Sequence, residues 1–167
     1  MMITKIVSGG QTGADRAGLD VALRWKFPYG GWCPKGRRAE DGPIGGQYVL
    51  VETPSSNYLQ RTEWNVRDSD GTVVFTLAKA VSGGSARTIK FARALKKPVV
   101  HISFGKFYEP ALELLRFVEK NKIKVLNIAG SRESKEPGLW VKTYECVERA
   151  FFSDRVHPGI LGGPGEG

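Results

Sequence analysis

Histidine and cysteine are nearly missing from this chain, with two of each among 167 residues. So few ligand-type side chains cannot be grouped at metal-binding spacing, and no metal site is expected. Nor can a Ser–His–acid set be drawn. His101 sits in a strand-like run, where it reads as a sheet residue, and His157 lies near the C-terminal end. Cys33 and Cys146 are widely separated, so a reduced, cytoplasmic chain is the expectation and a disulfide the alternative. Cys146 falls in an apolar helical stretch and reads as core. Cys33 stands beside a candidate ligand loop, which leaves a reactive thiol open for it.

Long apolar runs are absent too. No segment approaches the roughly 20 apolar residues that cross a bilayer, so no membrane partner is expected. Met1-Met2-Ile3-Thr4-Lys5-Ile6-Val7 is too short for a secretory signal, runs at once into glycine, and reads as the first core strand. Zinc-finger spacing and an RNP-like aromatic segment are also missing. Acidic residues are the minority, 17 Asp and Glu against 25 Lys and Arg, for a formal net charge of +8. That balance attracts polyanions and smaller phosphorylated compounds. The cations are dispersed, apart from Lys35-Gly36-Arg37-Arg38 and pairs such as Lys96-Lys97. A phosphorylated small molecule is therefore the expected partner, and nucleic acid is not.

Glycine, by contrast, is plentiful at 21 residues. Ser8-Gly9-Gly10-Gln11-Thr12-Gly13-Ala14-Asp15-Arg16 and Val81-Ser82-Gly83-Gly84-Ser85-Ala86-Arg87-Thr88 each follow a strand-like run and open a helical one. Glycines at such junctions let backbone N–H groups approach a ligand, and a helix N-terminus favours an anion there. Neither segment is the dinucleotide G-x-G-x-x-G pattern or a Walker A loop.

Apolar periodicity supplies the frame. Residues 3–7 read as a strand and 13–25 as a helix, with 27–46 a long glycine- and proline-rich loop broken by a short strand. A strand is expected at 47–52 and a helix at 57–68 with a stripe through Leu59, Glu63 and Val66. The buried run 72–76 precedes a helix starting at Ser85 or Ala86. A strand at 99–102, a helix at 108–120, a strand at 123–128 and a helix at 137–152 follow. Repeated alternation predicts a three-layer α/β domain with a mostly parallel sheet, residues 1–156 forming one ligand-binding domain and 157–167 a flexible tail. The loops after residues 7, 76 and 128 should meet at the C-terminal edge of that sheet. Asp68 and Asp70 belong to the opposite edge and are given no catalytic role.

Around that edge the candidate ligand contacts are grouped by loop. Gly9, Gly10 and Gly13 permit a tight turn, Gln11 and Thr12 donate hydrogen bonds, and Asp15 and Arg16 add charge in the first helical turn. Gly83, Gly84, Ser85 and Thr88 offer amides and hydroxyls, and Ser85 can cap its helix in the same geometry. Gly130, Ser131 and Arg132 form a third, shorter turn. In the long loop, Lys35 or Arg37 can neutralise phosphate and Trp32 can cover a planar ring; a surface salt-bridge cluster is the alternative. Asp15, Glu40 or Asp41 can serve as a general base for an activated ribosyl bond, which leaves catalysis open.

Residues 8–20 together with Gly31-Trp32-Cys33-Pro34-Lys35-Gly36-Arg37-Arg38-Ala39-Glu40-Asp41-Gly42 resemble the putative molybdenum carrier family. That family is a circularly permuted branch of the Rossmann-like superfamily that includes the lysine-decarboxylase-like, cytokinin-activating proteins. Asn127-Ile128-Ala129-Gly130-Ser131-Arg132-Glu133-Ser134 extends the likeness. The resemblance implies a Rossmann-like homo-oligomer, dimeric or tetrameric, binding the molybdenum cofactor (molybdopterin) or otherwise a nucleotide. It also implies a phosphate cradle from Gly9 to Thr12, Gly83 to Ser85 and Thr88. Enzymes of the wider superfamily cleave nucleoside monophosphates with a Pro-Gly-Gly-x-Gly-Thr-x-x-Glu signature. Here Ile89 and Lys90 follow Thr88, with no matching glutamate. Carrier, phosphoribohydrolase-like enzyme and nucleotide-sensing module are the three readings carried forward.

Overall fold

The computed structural model describes residues 3–156. His157 and the tail expected at 157–167 lie outside the described residues.

The chain runs β1 (Lys5–Val7), α1 (Ala14–Arg24), β2 (Tyr29–Gly30), β3 (Trp32–Cys33), β4 (Val51–Glu52), α2 (Tyr58–Arg67) and β5 (Gly71–Thr76). It continues through α3 (Gly83–Ala94), β6 (Val99–Ser103), α4 (Pro110–Lys120), β7 (Val125–Gly130) and α5 (Leu139–Val156). Five strands pair in the order β2-β1-β7-β5-β6, all parallel. β5 is buried along its whole length, as a strand covered on both faces must be. The architecture is a three-layer, Rossmann-like α/β fold.

Alternation along the strands separates the two faces. Ile6, Val73, Phe75, Ile102, Leu126 and Ile128 pack with the apolar sides of α1, α4 and α5 into the main core. The other face carries Thr72, Thr76, His101 and Asn127, where Asn127 Nδ2 donates to Thr72 Oγ1 at 3.1 Å. The Thr76 hydroxyl there lies 2.7 Å from His101 Nε2. Helices α2 and α3 pack together on this more polar side. That placement explains why α2 buries Arg61, Asn65 and Val66 while Leu59 stays 38% exposed, instead of the apolar stripe expected through Leu59 and Glu63.

The long loop is a packed unit of its own. β3 and β4 form a two-stranded parallel sheet, and Leu19, Cys33, Ala39, Ile44 and Tyr48 close a second core beneath it. The strand expected at 47–52 shrinks to Val51–Glu52, since Tyr48 turns into this small core and Val49 is left exposed. Cys33 and Cys146 are both free and buried, so no disulfide joins them. Burial pushes the Cys33 thiol above its ordinary range, which removes the thiolate a reactive cysteine needs. Helix α5 starts at Leu139, two residues past Pro137, because the Glu133 carboxylate accepts from the Gly138 and Trp140 amides.

Parallel pairing sets the site. From β1 the chain moves outward to β2, and from β5 it moves outward the opposite way to β6, while β7 lies between. Connections therefore diverge over β7, the topology at which open α/β sheets bind ligands. The turns there touch: Ala14 N–H donates to Ser131 O, and Ser131 N–H to Phe75 O. Gly13 has φ 78°, and a Cβ on it would press onto the Ser131 carbonyl oxygen and come within 2.8 Å of the Glu133 nitrogen. Replacing it by alanine should cost about 2–4 kcal/mol, strain and collision together. Gly36→Ala, at φ 83° in open space, should cost only about 1 kcal/mol. Urea unfolding of both variants checks this, and equal losses would refute the contact between the turns.

Candidate functional site

Where the turns after β1, β5 and β7 meet, they enclose a cavity of about 370 Å³. Gly9, Gln11 and Asp15 line it from the first turn, Gly83, Gly84, Ser85, Arg87 and Thr88 from the second, and Gly130, Ser131, Arg132 and Lys135 from the third. Helix α2 supplies a fourth wall through Tyr58, Arg61, Thr62 and Asn65.

The second turn gathers hydrogen-bond donors and a cation at one helix end. Ser82 is extended and makes no side-chain cap, so α3 opens on Gly83, Gly84 and Ser85 with its first amides directed past the helix end. Lys135 Nζ donates to Ser82 Oγ at 2.7 Å, which sets its ammonium at this same end. Ser85 Oγ lies 3.4 Å from Ser131 Oγ, and Thr88 Oγ1 donates to Gly84 O. Glu136 holds the two turns in register: its carboxylate accepts from the Leu77 and Ala78 amides at 2.6 and 2.8 Å and from Ser131 Oγ at 2.7 Å.

Deeper in, Arg61 donates from Nη1 to Gly9 O at 2.8 Å and stands 3.6 Å from the Asp15 carboxylate. Gly9 must be glycine for this, because a Cβ there would meet the Arg61 side chain within 2.7 Å. Asp15 is only 7% exposed. Burial pushes its carboxyl up to about 6, against the opposing pull of Arg61, the Gln11 amide and Arg16.

Seven expected contacts stand elsewhere. Arg16 grips Asp41 at 2.7 and 3.1 Å and the Gly10 carbonyl at 2.9 Å, so its fork is already occupied. Gly10, with φ 80°, turns toward Ile44 and Leu50, and Gly13 packs on the Ser131 backbone. The Thr12 hydroxyl bonds Glu40 and accepts from the Glu133 amide. Trp32 donates its indole N–H to Asp68 at 2.8 Å and meets Trp64 edge-on, away from the cavity lining. Arg37 donates to the carbonyls of Ile44, Gly45 and Tyr48 and so braces the long loop. Lys35 is exposed on that loop and does not line the cavity. Desolvation raises the Glu40 carboxyl, yet hydrogen bonds from Ser134 and Thr12 outweigh it and hold the group below its usual range. Arg16 does the same for Asp41. Neither lines the cavity, so Asp15 is the carboxylate of the cavity wall among the described residues.

Arg61, Asn65, Tyr58 and Thr62 escaped the sequence reading. Their signal is a polar stripe at spacings of three and four residues, which apolar periodicity does not reveal. Among the described residues, no group of three or more His, Cys, Asp or Glu side chains could hold a metal ion. No helix among them is long and apolar enough to cross a membrane.

The Asp15 environment has a measurable signature. Its carboxyl binds a proton more readily in the native state than in the unfolded chain, where it titrates near 3.8. The stability it contributes is full below pH 4 and is lost as pH rises through about 6. Compared with Asp15→Asn, the parent protein should lose about 2 kcal/mol of relative stability between pH 4 and pH 7. Denaturant melts across that range test this; parallel curves for the two proteins would contradict the placement.

Two comparisons place the chain among known proteins. Residues 6–151 match the model of the circularly permutated YpsA SLOG family. A solved structure of a putative molybdenum carrier protein from Syntrophus aciditrophicus SB is 46% identical, with a TM-score of 0.87, over 90% of this chain and 96% of that one. None of the curated proteins compared with it matches the chain. On that match, which spans residues 6–151, this chain belongs to the circularly permutated YpsA SLOG family.

Proposed function

We propose that this protein captures a phosphorylated heterocyclic ligand in the cavity over β7, shields its anionic end and releases it chemically unchanged. The observation that carries this reading is the convergence of the uncapped α3 N-terminus with Arg61, Arg87, Arg132 and Lys135 around one cavity. Amides and hydroxyls fit phosphate oxygens, while the surrounding cations offset the charge. The solved relative is named a putative molybdenum carrier, and this reading assigns the molybdenum cofactor as the cargo here. Among the described residues lining the cavity, none is a cysteine or histidine. Molybdenum would accordingly travel on the pterin's own atoms, with the protein gripping the phosphate. Trp32 does not line this cavity, so Tyr58, Leu59 and Ala129 are the apolar surface left for a ring. Homo-oligomerisation and a cytoplasmic setting belong to the same proposal.

A second reading has one observation behind it. Asp15, buried in the cavity wall with its carboxyl at about 6, falls in the range of a general base, as a nucleotide-cleaving enzyme requires. Against it, Lys90 stands where the phosphoribohydrolase signature has its glutamate, and Lys90 does not line the cavity.

Incubation with molybdopterin or with nucleoside monophosphates, followed by native mass spectrometry of bound and released compounds, separates the readings and reports the assembly. Intact ligand retained by the protein is the expected result; free base with ribose phosphate would replace carriage by hydrolysis. Replacing Arg132 and Lys135 together by alanine should weaken affinity at least tenfold, about the worth of one charge-assisted bond. Arg16→Ala should change it less than threefold, roughly within 0.7 kcal/mol, because Arg16 is engaged by Asp41 outside the cavity.

A further inference from the structure

We propose, building on the capture of an anion in this cavity, that the ligand is bound together with one proton, carried by Asp15, and that loss of that proton drives release.

The geometry puts two negative groups in competition for one cation. Asp15 lines the cavity that would receive the anion, and it is only 7% exposed. The counter-charge in ion-pair range of it is Arg61, at 3.6 Å. Arg61 is itself held by the Gly9 carbonyl and is buried, so it cannot swing out to serve a distant partner. An ionised Asp15 therefore claims Arg61 and repels an incoming phosphate across a short, poorly solvated gap. Once the carboxyl is protonated, both effects vanish, and Arg61 faces the ligand as an uncommitted charge.

The other groups around the cavity do not replace this mechanism. From its own helix, Asp15 feels Arg16, whose guanidinium is bound to Asp41. From α3 the wall presents Arg87 and the hydroxyls of Ser85 and Thr88. From the β7–α5 turn it presents Ser131, Arg132 and Lys135, with Arg132 also 3.5 Å from Glu40. Burial already lifts the Asp15 carboxyl to about 6 with the cavity's own cations in place. A bound anion raises it further by the same like-charge repulsion. The balance is simple: ionised protein plus proton plus anion gives the neutral-carboxyl complex, with no bond made or broken elsewhere.

A carrier with this property loads in mildly acidic surroundings and unloads where the proton is lost, without any covalent step. Burial lowers the pKa of His101, and it does not line the cavity.

Inorganic sulfate is a suitable probe, because its charge is constant between pH 5 and pH 8. Binding to the full chain should shift the Gly83 and Gly84 amide resonances. Its affinity should fall by up to about tenfold per pH unit above pH 6. Calorimetry near pH 7 in buffers of different ionisation enthalpy should show close to one proton taken up per sulfate. Asp15→Asn should bind sulfate with an affinity independent of pH. If that variant does not fold, proton uptake by the parent protein decides the matter. Sulfate that shifts those amides equally at pH 6 and pH 8, with no proton uptake, overturns the linkage and leaves the cavity reading standing. No shift of those amides at any pH overturns both.

Discussion

The hydrogen-bonding of β7 between β1 and β5 is the constraint on which the site depends. All of these strands are parallel, so their C-terminal ends share one edge, and the chain leaves β1 and β5 in opposite directions. The gap over β7 follows from that divergence rather than from any single side chain. Contacts between turns then hold the gap at a set width. Ala14 and Ser131 join the first and third turns, and Glu136 ties the second to the third. A cavity made this way has its backbone braced by those hydrogen bonds.

Charge is distributed unevenly across this frame. Cations that looked equivalent along the chain do different work once folded. Arg37 and Arg16 satisfy backbone carbonyls and Asp41 in the long loop, which stabilises a segment with little regular structure. Arg61 is drawn into the cavity, where low solvent exposure magnifies its pull on both Asp15 and any anion. Lys135 and Arg132 stand at the rim, screened by water. The polar face of the sheet, with Thr72, Thr76, His101 and Asn127, continues this hydrophilic interior beneath α2 and α3.

Much of the frame was legible because it is written locally. Apolar period and glycine punctuation located α1, β5, β6, α4 and β7 within a few residues, and predicted that the turns after residues 7, 76 and 128 converge. Ten of the proposed contacts, including Gly9, Asp15, Ser85 and Ser131, do line one cavity. What failed was the long loop: Trp32, Lys35 and Arg37 belong to an independent small core and its surface. Their chemistry suited a ligand, but nothing local announces whether a guanidinium will meet phosphate or a backbone carbonyl. The α2 wall failed for the converse reason, since its buried face is polar.

Residue order alone determined the alternation of strands and helices, the glycine-rich junctions and the family resemblance, because each is set by neighbours within one or two turns of chain. Only the folded structure decided that β7 inserts between β1 and β5, that Arg61 rather than Arg16 reaches the cavity, and that Asp15 is buried beside it. Those facts join residues more than forty positions apart. They arise from strand pairing and burial, which no local pattern encodes.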